Sequence, residues 1–210
     1  DRHPLPESKG LRKADRRPGR SAVRRGEMEQ IRRILERITR ERQEGVVYND
    51  VFEEVMTLFQ SRLVQLSGLR EDEVAILLMD SRRNLKFYRP KYLERSGLIP
   101  ASYTRSFVTS TIQSGRPAMN NHFNSTQHLA MFEELKRNNP NAEPIQKMLC
   151  IPLRTSDGLV FGAIEFGKKG ASLEEAGTDW SSVQMESLSE TVNGVADYFY
   201  QLCLMARILA

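Results

Sequence analysis

Apolar positions change period several times along the 210-residue chain, and each change marks an element. From Glu27 to Glu44, Met28, Ile31, Leu35 and Ile38 follow 3-4-3 spacing, Ile34 widens the stripe, and charges of both signs fill most other positions. This pattern predicts an amphipathic helix with a coiled-coil-like seam, ended or kinked at Gly45. A second helix is expected from Asn49 or Asp50 to Leu66, one of those two polar residues being its N-cap. Val51, Val55, Leu58, Phe59, Leu63 and Leu66 would form its buried face. The period then shortens. Glu73 to Asp80 (EVAILLMD) is an apolar run suited to a central strand, and Leu85 to Arg89 pairs back on it across a turn at Ser81 to Asn84.

Pro90 to Pro100 reads as a loop. Ser102 or Thr104 can cap a short helix up to Gln113, which Ser114-Gly115-Arg116-Pro117 stops, with Gly115 at the C-terminal cap. Ala118 to Asn120 is at most a short strand, and Thr126 to Asn138 has helical spacing with Leu129, Met131, Phe132 and Leu135 inward. Ile145 to Arg154 and Leu159 to Phe166 are two strands around Ser156-Asp157-Gly158, where the Asp-Gly step suits a tight hairpin. Gly167 to Thr178 is a loop, and Asp179 to Leu209 is one long helix with Thr178 or Asp179 as cap. Leu188, Val192, Val195, Phe199, Leu202, Ala206 and Leu209 recur in that helix at alternating spacings of four and three, as heptad core positions do. Ala196, Tyr200 and Cys203 add a second stripe, so one stripe is expected on the domain and the other on a partner. The dimer interface predicted this way uses Ile31, Leu35 and Ile38 at one end and Leu188, Val192, Val195, Phe199 and Leu202 at the other.

Composition fits one soluble domain with appendages, since 40% of residues are hydrophobic and 28% charged. The net charge of +4 is unevenly placed: the first 25 residues hold nine Lys/Arg against three Asp/Glu, a net +6, which leaves −2 for the other 185. That segment also carries Pro4, Pro6, Gly10, Pro18 and Gly19 and almost no periodic apolar residues, so it reads as a flexible basic tail. It is either a solvated linker or a contact for nucleic acid phosphates or an anionic membrane surface. No run of 18 apolar residues exists, which excludes a membrane-spanning helix on sequence grounds. Asp1-Arg2-His3-Pro4 opens no apolar stretch of the signal-peptide kind. The chain reads as a segment of a longer protein, with an output domain fused outside it. Cys150 and Cys203 lie in apolar contexts, which excludes a disulfide scaffold and a four-cysteine zinc site and suits a cytoplasmic location. No glycine-rich phosphate loop, nucleophile elbow or H-E-x-x-H occurs, so no catalytic or metal site is expected.

The ordered elements predict an α+β arrangement, an antiparallel sheet with helices packed on it. Within it, Thr111-Ile112-Gln113-Ser114-Gly115-Arg116-Pro117 is followed by Asn120-Asn121 and then a variable helical stretch. Lys147-Met148-Leu149-Cys150-Ile151-Pro152-Leu153, Asp157-Gly158 and Val160-Phe161-Gly162-Ala163-Ile164-Glu165-Phe166 come next. This set resembles a GAF domain, whose pattern is a helix ending in "TG.P", a short strand with Asn or Asp, a lid helix, and "S.L.VPL...G.V.GV.EL.NK". The resemblance spans roughly Val46 to Phe199. It implies a sheet of five to six strands, with the domain at 46–178 between a tail at 1–26, a linker helix at 27–45 and a long C-terminal helix at 179–210. Pro152 should sit at an edge or bulge, and Gly162 should mark a bulge or a close backbone approach. The sequence departs from members that bind cyclic nucleotides: Gly167-Lys168 stands where Asn-Lys is usual, and the Phe that follows falls at Leu173 or Ala176. Neither cysteine is followed by the His usual in bilin-binding relatives, and His122 and His128 are the haem-ligand candidates, more in keeping with lid-surface residues.

The resemblance places a ligand between the sheet and the excursion helices. The polar groups there are Ser106, Thr109 and Ser110 on the first short helix, Asn120 and Asn121 after it, and Glu165 on the last strand, where it either lines the pocket or faces solvent. Phe123, Met148, Cys150 and Phe161 would supply apolar contact. Two adjacent asparagines suit a purine, or simply close turns. The expected function is a regulatory sensor and dimerisation module of a bacterial-type signalling protein, taking a small ligand such as a cyclic nucleotide or other purine. A ligand-free dimerisation domain and an adaptor with a nucleic-acid or lipid-binding tail are the other readings.

Overall fold

The computed structural model describes residues 48–125 and 143–210, together with Glu29, Arg32, Arg33 and Glu36. The basic tail at 1–26, the seam residues Ile31, Leu35 and Ile38, and the helix expected at 126–138, with His128, lie outside the described residues.

The first described helix, α1, runs Tyr48–Ser67 and buries Phe52, Val55, Met56, Phe59 and Leu63. Its buried face is turned by about one position from the stripe read in the sequence, with Leu58 exposed and Phe52 and Met56 inside. Aromatic packing accounts for the turn. Phe52 and Phe59 both meet Phe199, with ring centroids 6.2 and 5.5 Å apart, and two rings bury more apolar area than one leucine.

Six strands follow: β1 (Val74–Met79), β2 (Asn84–Arg89), β3 (Leu98–Pro100), β4 (Ala118–Asn120), β5 (Ile145–Arg154) and β6 (Val160–Lys169). They form one antiparallel sheet in the order β3-β2-β1-β6-β5-β4. β3 lies inside the stretch expected to be loop. Its three residues pair with Asn84, Leu85 and Lys86, and a strand that short carries too little alternation to be read from sequence. β6 runs three residues past Phe166, through Gly167 and Lys168 to Lys169.

Alternation divides the sheet into two faces. Val74, Ile76 and Leu78 of β1, Leu149, Ile151 and Leu153 of β5, and Ile164 and Phe166 of β6 pack under α1 and a long C-terminal helix. Leu77, Cys150 and Ala163 point the other way, with Leu85, Phe87 and Ile99, beneath the short helix α2 (Phe107–Ser114) through Val108 and Ile112. α2 ends at Gly115, whose φ of 62° is the left-handed C-terminal cap.

Two strand residues behave as their chemistry requires. β4 stops pairing at Cys150, so Pro152 has only β6 beside it, the edge condition for a residue without an N–H. Near the β5–β6 hairpin the register shifts between Leu153 and Arg154, and Gly162 sits where an added Cβ would lie 2.3 Å from the Leu77 carbonyl oxygen. The irregularity also turns Phe161 onto the helical face, against Phe199 and Tyr200, while Val160 packs on the opposite face.

The C-terminal helix, α3, runs Ser182–Met205, starting later than expected. Its N-cap is Ser181: the Ser181 Oγ accepts from the Gln184 N–H, and the Gln184 Oε1 accepts from the Ser181 N–H. Asp179 is occupied elsewhere, 2.8 Å from the Lys147 Nζ. The seam residues Leu188, Val192, Val195, Phe199 and Leu202 are all buried in the core beneath the helix, and so are Ala196 and Cys203. Both stripes therefore fill this domain's own core, which corrects the expectation that the heptad seam of α3 faces a partner. Two residues of the N-terminal segment lie against the same helix. Tyr198 donates its hydroxyl to the Glu36 carboxylate at 3.0 Å, and Arg32 lies 5.8 Å from the Tyr198 ring centre.

Candidate functional site

Among the described residues the two faces carry different lengths of helix. α1 and α3 provide 20 and 24 residues of helix over one face, and α2 provides eight over the other. The expected ligand residues separate accordingly.

Ser106 and Thr109 build the start of α2. The Ser106 carbonyl accepts from the Ser110 N–H at 3.1 Å and lies 2.9 Å from the Thr109 hydroxyl, which also reaches the Tyr103 carbonyl. Ser110 is exposed, while Val108 and Ile112 are the α2 residues packed on the sheet. The Asn120 Oδ1 accepts from the His122 N–H at 2.9 Å, which closes a turn. Asn121 grips the Trp180 backbone: its Nδ2 donates to the Trp180 carbonyl at 3.1 Å, and its Oδ1 accepts from the Trp180 N–H at 2.8 Å. The asparagine pair thus joins β4 to the entry of α3. Phe123 is buried edge-on against Phe107, with ring centroids 5.6 Å apart. Met148 is buried between register partners Asn120 and Gly167. Phe161, placed by the sequence reading with this group, belongs to the other face.

Cys150 and Glu165 are brought together. They are direct partners across β5 and β6, and Ala75 of β1 flanks Glu165 on its other side. The Thr111 hydroxyl of α2 reaches the Cys150 sulfur. Burial, with the Glu165 carboxylate adding to it, pushes the Cys150 thiol well above its usual value, and burial raises Cys203 likewise. A thiol in that state is inert as a nucleophile at neutral pH. Glu165 does not face solvent: only 5% of it is exposed. Burial alone pushes its carboxyl from 4.5 up to about 7. Among the described residues no hydrogen bond reaches that carboxylate and no cation offsets it. An acidic side chain with this degree of burial ordinarily has a partner.

The sequence reading missed a second buried charge group. Lys147 and Lys168 are register partners at the far end of β5 and β6, and each is nearly fully buried. Lys147 meets Asp179 and the Gly177 carbonyl. Lys168 donates to the Thr178 carbonyl at 2.6 Å and sits 4.3 Å from the Trp180 ring centre. Burial and the neighbouring Lys147 pull the Lys168 amine below its usual value. A signal was present, since Lys147 shares the parity of Leu149 and Ile151 and therefore points into the core. These lysines fasten residues 177–180 to the sheet, as Asn121 does from β4. Among the described residues no cluster of His, Cys, Asp and Glu can hold a metal ion, and no helix is long and apolar enough to cross a membrane.

Neither a family model nor a curated protein matches the sequence. Solved structures do match. The GAF domain of a phosphoenolpyruvate-protein phosphotransferase from Acinetobacter aligns with a TM-score of 0.52 at 16% identity, over 88% of this chain and 96% of that one. The GAF domain of a two-component sensor histidine kinase from Bacillus halodurans gives 0.50 at 16% identity, over 69% and 93%. A type II free methionine-R-sulfoxide reductase from Thermoplasma acidophilum gives 0.52 at 14% identity, over 74% and 96%. At these identities the likeness is one of architecture, and that architecture, a six-stranded antiparallel sheet with helices packed on it, is the GAF fold.

Proposed function

We propose that the chain is a regulatory sensor module, which holds a small ligand between the sheet and α2 and transmits its presence through α3. The observation that carries this reading is Glu165, a buried carboxylate on the α2 face of a central strand with no partner among the described residues. The likeness to GAF domains of a sensor histidine kinase and a phosphotransferase agrees with it. β5 and β6 provide the route of transmission. Cys150 and Glu165 face α2, whereas their neighbours Leu149, Ile151, Ile164 and Phe166 pack in the core that α3 completes. A ligand that displaces either strand therefore moves groups under α3, whose Tyr198 holds Glu36 of the N-terminal segment.

The methionine sulfoxide reductase shares the fold and is an enzyme. We read this chain as a binding module because both of its cysteines are buried and held as thiols. The Asn120 Oδ1 is committed to a turn and both amide atoms of Asn121 to the Trp180 backbone, so the cyclic-nucleotide reading loses the Asn121 donor and both acceptors expected for a purine. Dimerisation, if retained, falls to Ile31, Leu35 and Ile38, since the α3 seam is internal. An output domain fused outside this segment completes the reading.

The test is a thermal-shift screen of the purified chain against cyclic mono- and dinucleotides, purine nucleotides, amino acids, amines and 2-oxo acids. At a hundredfold excess over its Kd, a ligand stabilises the folded state by about 2.7 kcal/mol, a shift of several degrees for a domain of this size. A chain that dimerises but shifts with nothing in the panel is a ligand-free dimerisation domain instead.

A further inference from the structure

We infer that the ligand taken on the α2 side of the sheet is a small organic cation with an apolar body, an amidinium, guanidinium or ammonium group set against Glu165. The inference rests on the sensor reading and narrows its ligand by charge. Glu165 is held by β-strands on both sides, which fixes its backbone in the middle of the sheet, and only 5% of the residue is exposed. Among the described residues the groups set around it are neutral. β1 offers Ala75, β5 offers the Cys150 thiol, and α2 offers the Thr111 hydroxyl with Val108 and Ile112.

Three ligand charges can be weighed against this setting. An anion would place two like charges in an apolar site, which costs strongly at low dielectric. A neutral hydrogen-bond donor leaves the ionised carboxylate uncompensated by charge. A cation cancels it and supplies charge-assisted hydrogen bonds, bidentate for a planar amidinium. The apolar surroundings, Leu77, Ala163, Val108 and Ile112, select against a bare metal ion, which would find no further oxygen ligands, and favour a ligand with a hydrocarbon or aromatic body.

Such binding is linked to proton release. With the carboxyl at about 7 in the unliganded domain, the ionised fraction rises roughly tenfold between pH 6 and pH 8, and cation affinity follows it. Three probes of nearly one shape separate the charges: benzamidine as cation, benzamide as neutral analogue and benzoate as anion. Phenethylamine beside benzamidine distinguishes an ammonium from a planar amidinium. Isothermal titration of the purified chain should show benzamidine or phenethylamine binding about tenfold more tightly at pH 8 than at pH 6, with benzamide and benzoate at least tenfold weaker at pH 8. Glu165→Gln should abolish the preference for the cation and its pH dependence. Equal binding of the three shapes, a pH-independent Kd, or no cation binding to folded wild-type protein overturns the inference. If nucleotides or 2-oxo acids bind while both cations fail, the sensor reading survives without it. If nothing in either set binds, both fall.

Discussion

Replacing Glu165 by Gln removes one buried carboxylate and keeps its volume, so its effect can be worked from the burial alone. In the folded chain the carboxyl sits at about 7, against 4.5 in the absence of burial. Between those values the folded state holds a proton that the unfolded chain has released, so stability falls as pH rises. The contribution is fully present below about pH 4.5 and is lost as pH rises through about 7. At 1.36 kcal/mol per unit, the loss over the whole window is about 3 kcal/mol, most of it between pH 5 and 7.5. The sign is opposite to that of an ion-paired carboxylate such as Asp179, which Lys147 holds below its usual value and which stabilises the fold as pH rises. Urea unfolding of wild type and Glu165→Gln at half-unit steps from pH 5 to 8 isolates the term, because every other titrating group is common to both. The wild-type stability should fall relative to the variant by about 2–3 kcal/mol across that range. The variant should be the more stable protein at pH 8, less the cost of a buried amide, about 1–3 kcal/mol. A difference that stays constant within about 0.5 kcal/mol refutes the claim that Glu165 is buried without a partner, since a compensated carboxylate would show no such slope.

Other consequences follow from single contacts. Gly162→Ala should destabilise by about 3 kcal/mol or more by chemical denaturation, because its Cβ would meet the Leu77 carbonyl at 2.3 Å and backbone cannot yield as a side chain does. Gly194→Ala, on the exposed side of α3 with nothing within 4 Å of the added carbon, should raise stability by about 0.5–1 kcal/mol, read as a higher Tm. Asn121→Ala should cost about 1–3 kcal/mol by leaving the Trp180 N–H and carbonyl without their partner, and quenching of Trp180, the single tryptophan, should increase with it. Cys150 and Cys203 should resist a thiol reagent in the native protein and react fully in denaturant, since both are buried.

What was legible in the sequence was what repeats. β1 and β5 were placed within a residue because their apolar runs fill both faces, and the 115–117 stop and the Asp157-Gly158 turn carry conformations few other residues adopt. β3 is not legible because three residues ending in Pro100 show no period. The start of α3 was placed early because Asp179 is a good cap by type, and only the tertiary structure shows Lys147 taking it. The heptads of α3 are legible as a pattern, whereas the core they fill is visible only in the structure. A 3.5-residue period says that a helix buries one side, and it is silent on whether the cover comes from its own sheet or a second chain. The site suffered most. Polar residues near a suspected pocket look alike in sequence whether they bind a ligand or close a turn, and Asn120, Asn121 and Thr109 proved to be spent on the backbone. Phe161 was assigned by simple alternation, which fails wherever a register shift intervenes.

Glu165 is informative for the same reason that it is costly. A ligand shifts a conformational equilibrium only by the difference in its affinity for the two states, so a sensor needs an interaction present in one state and absent in the other. Apolar contacts on this face supply little of that difference, because Leu77, Cys150 and Ala163 are already buried beneath α2. The uncompensated carboxylate supplies more. Its ionisation against burial is worth about 3 kcal/mol, a factor of somewhat over a hundred in an equilibrium constant, which is enough to turn a state populated at a few per cent into the dominant one. Glu165 also lies between Ile164 and Phe166 on β6, two residues rooted in the core that α3 covers. Relief of that charge is therefore applied to the strand whose opposite side supports α3.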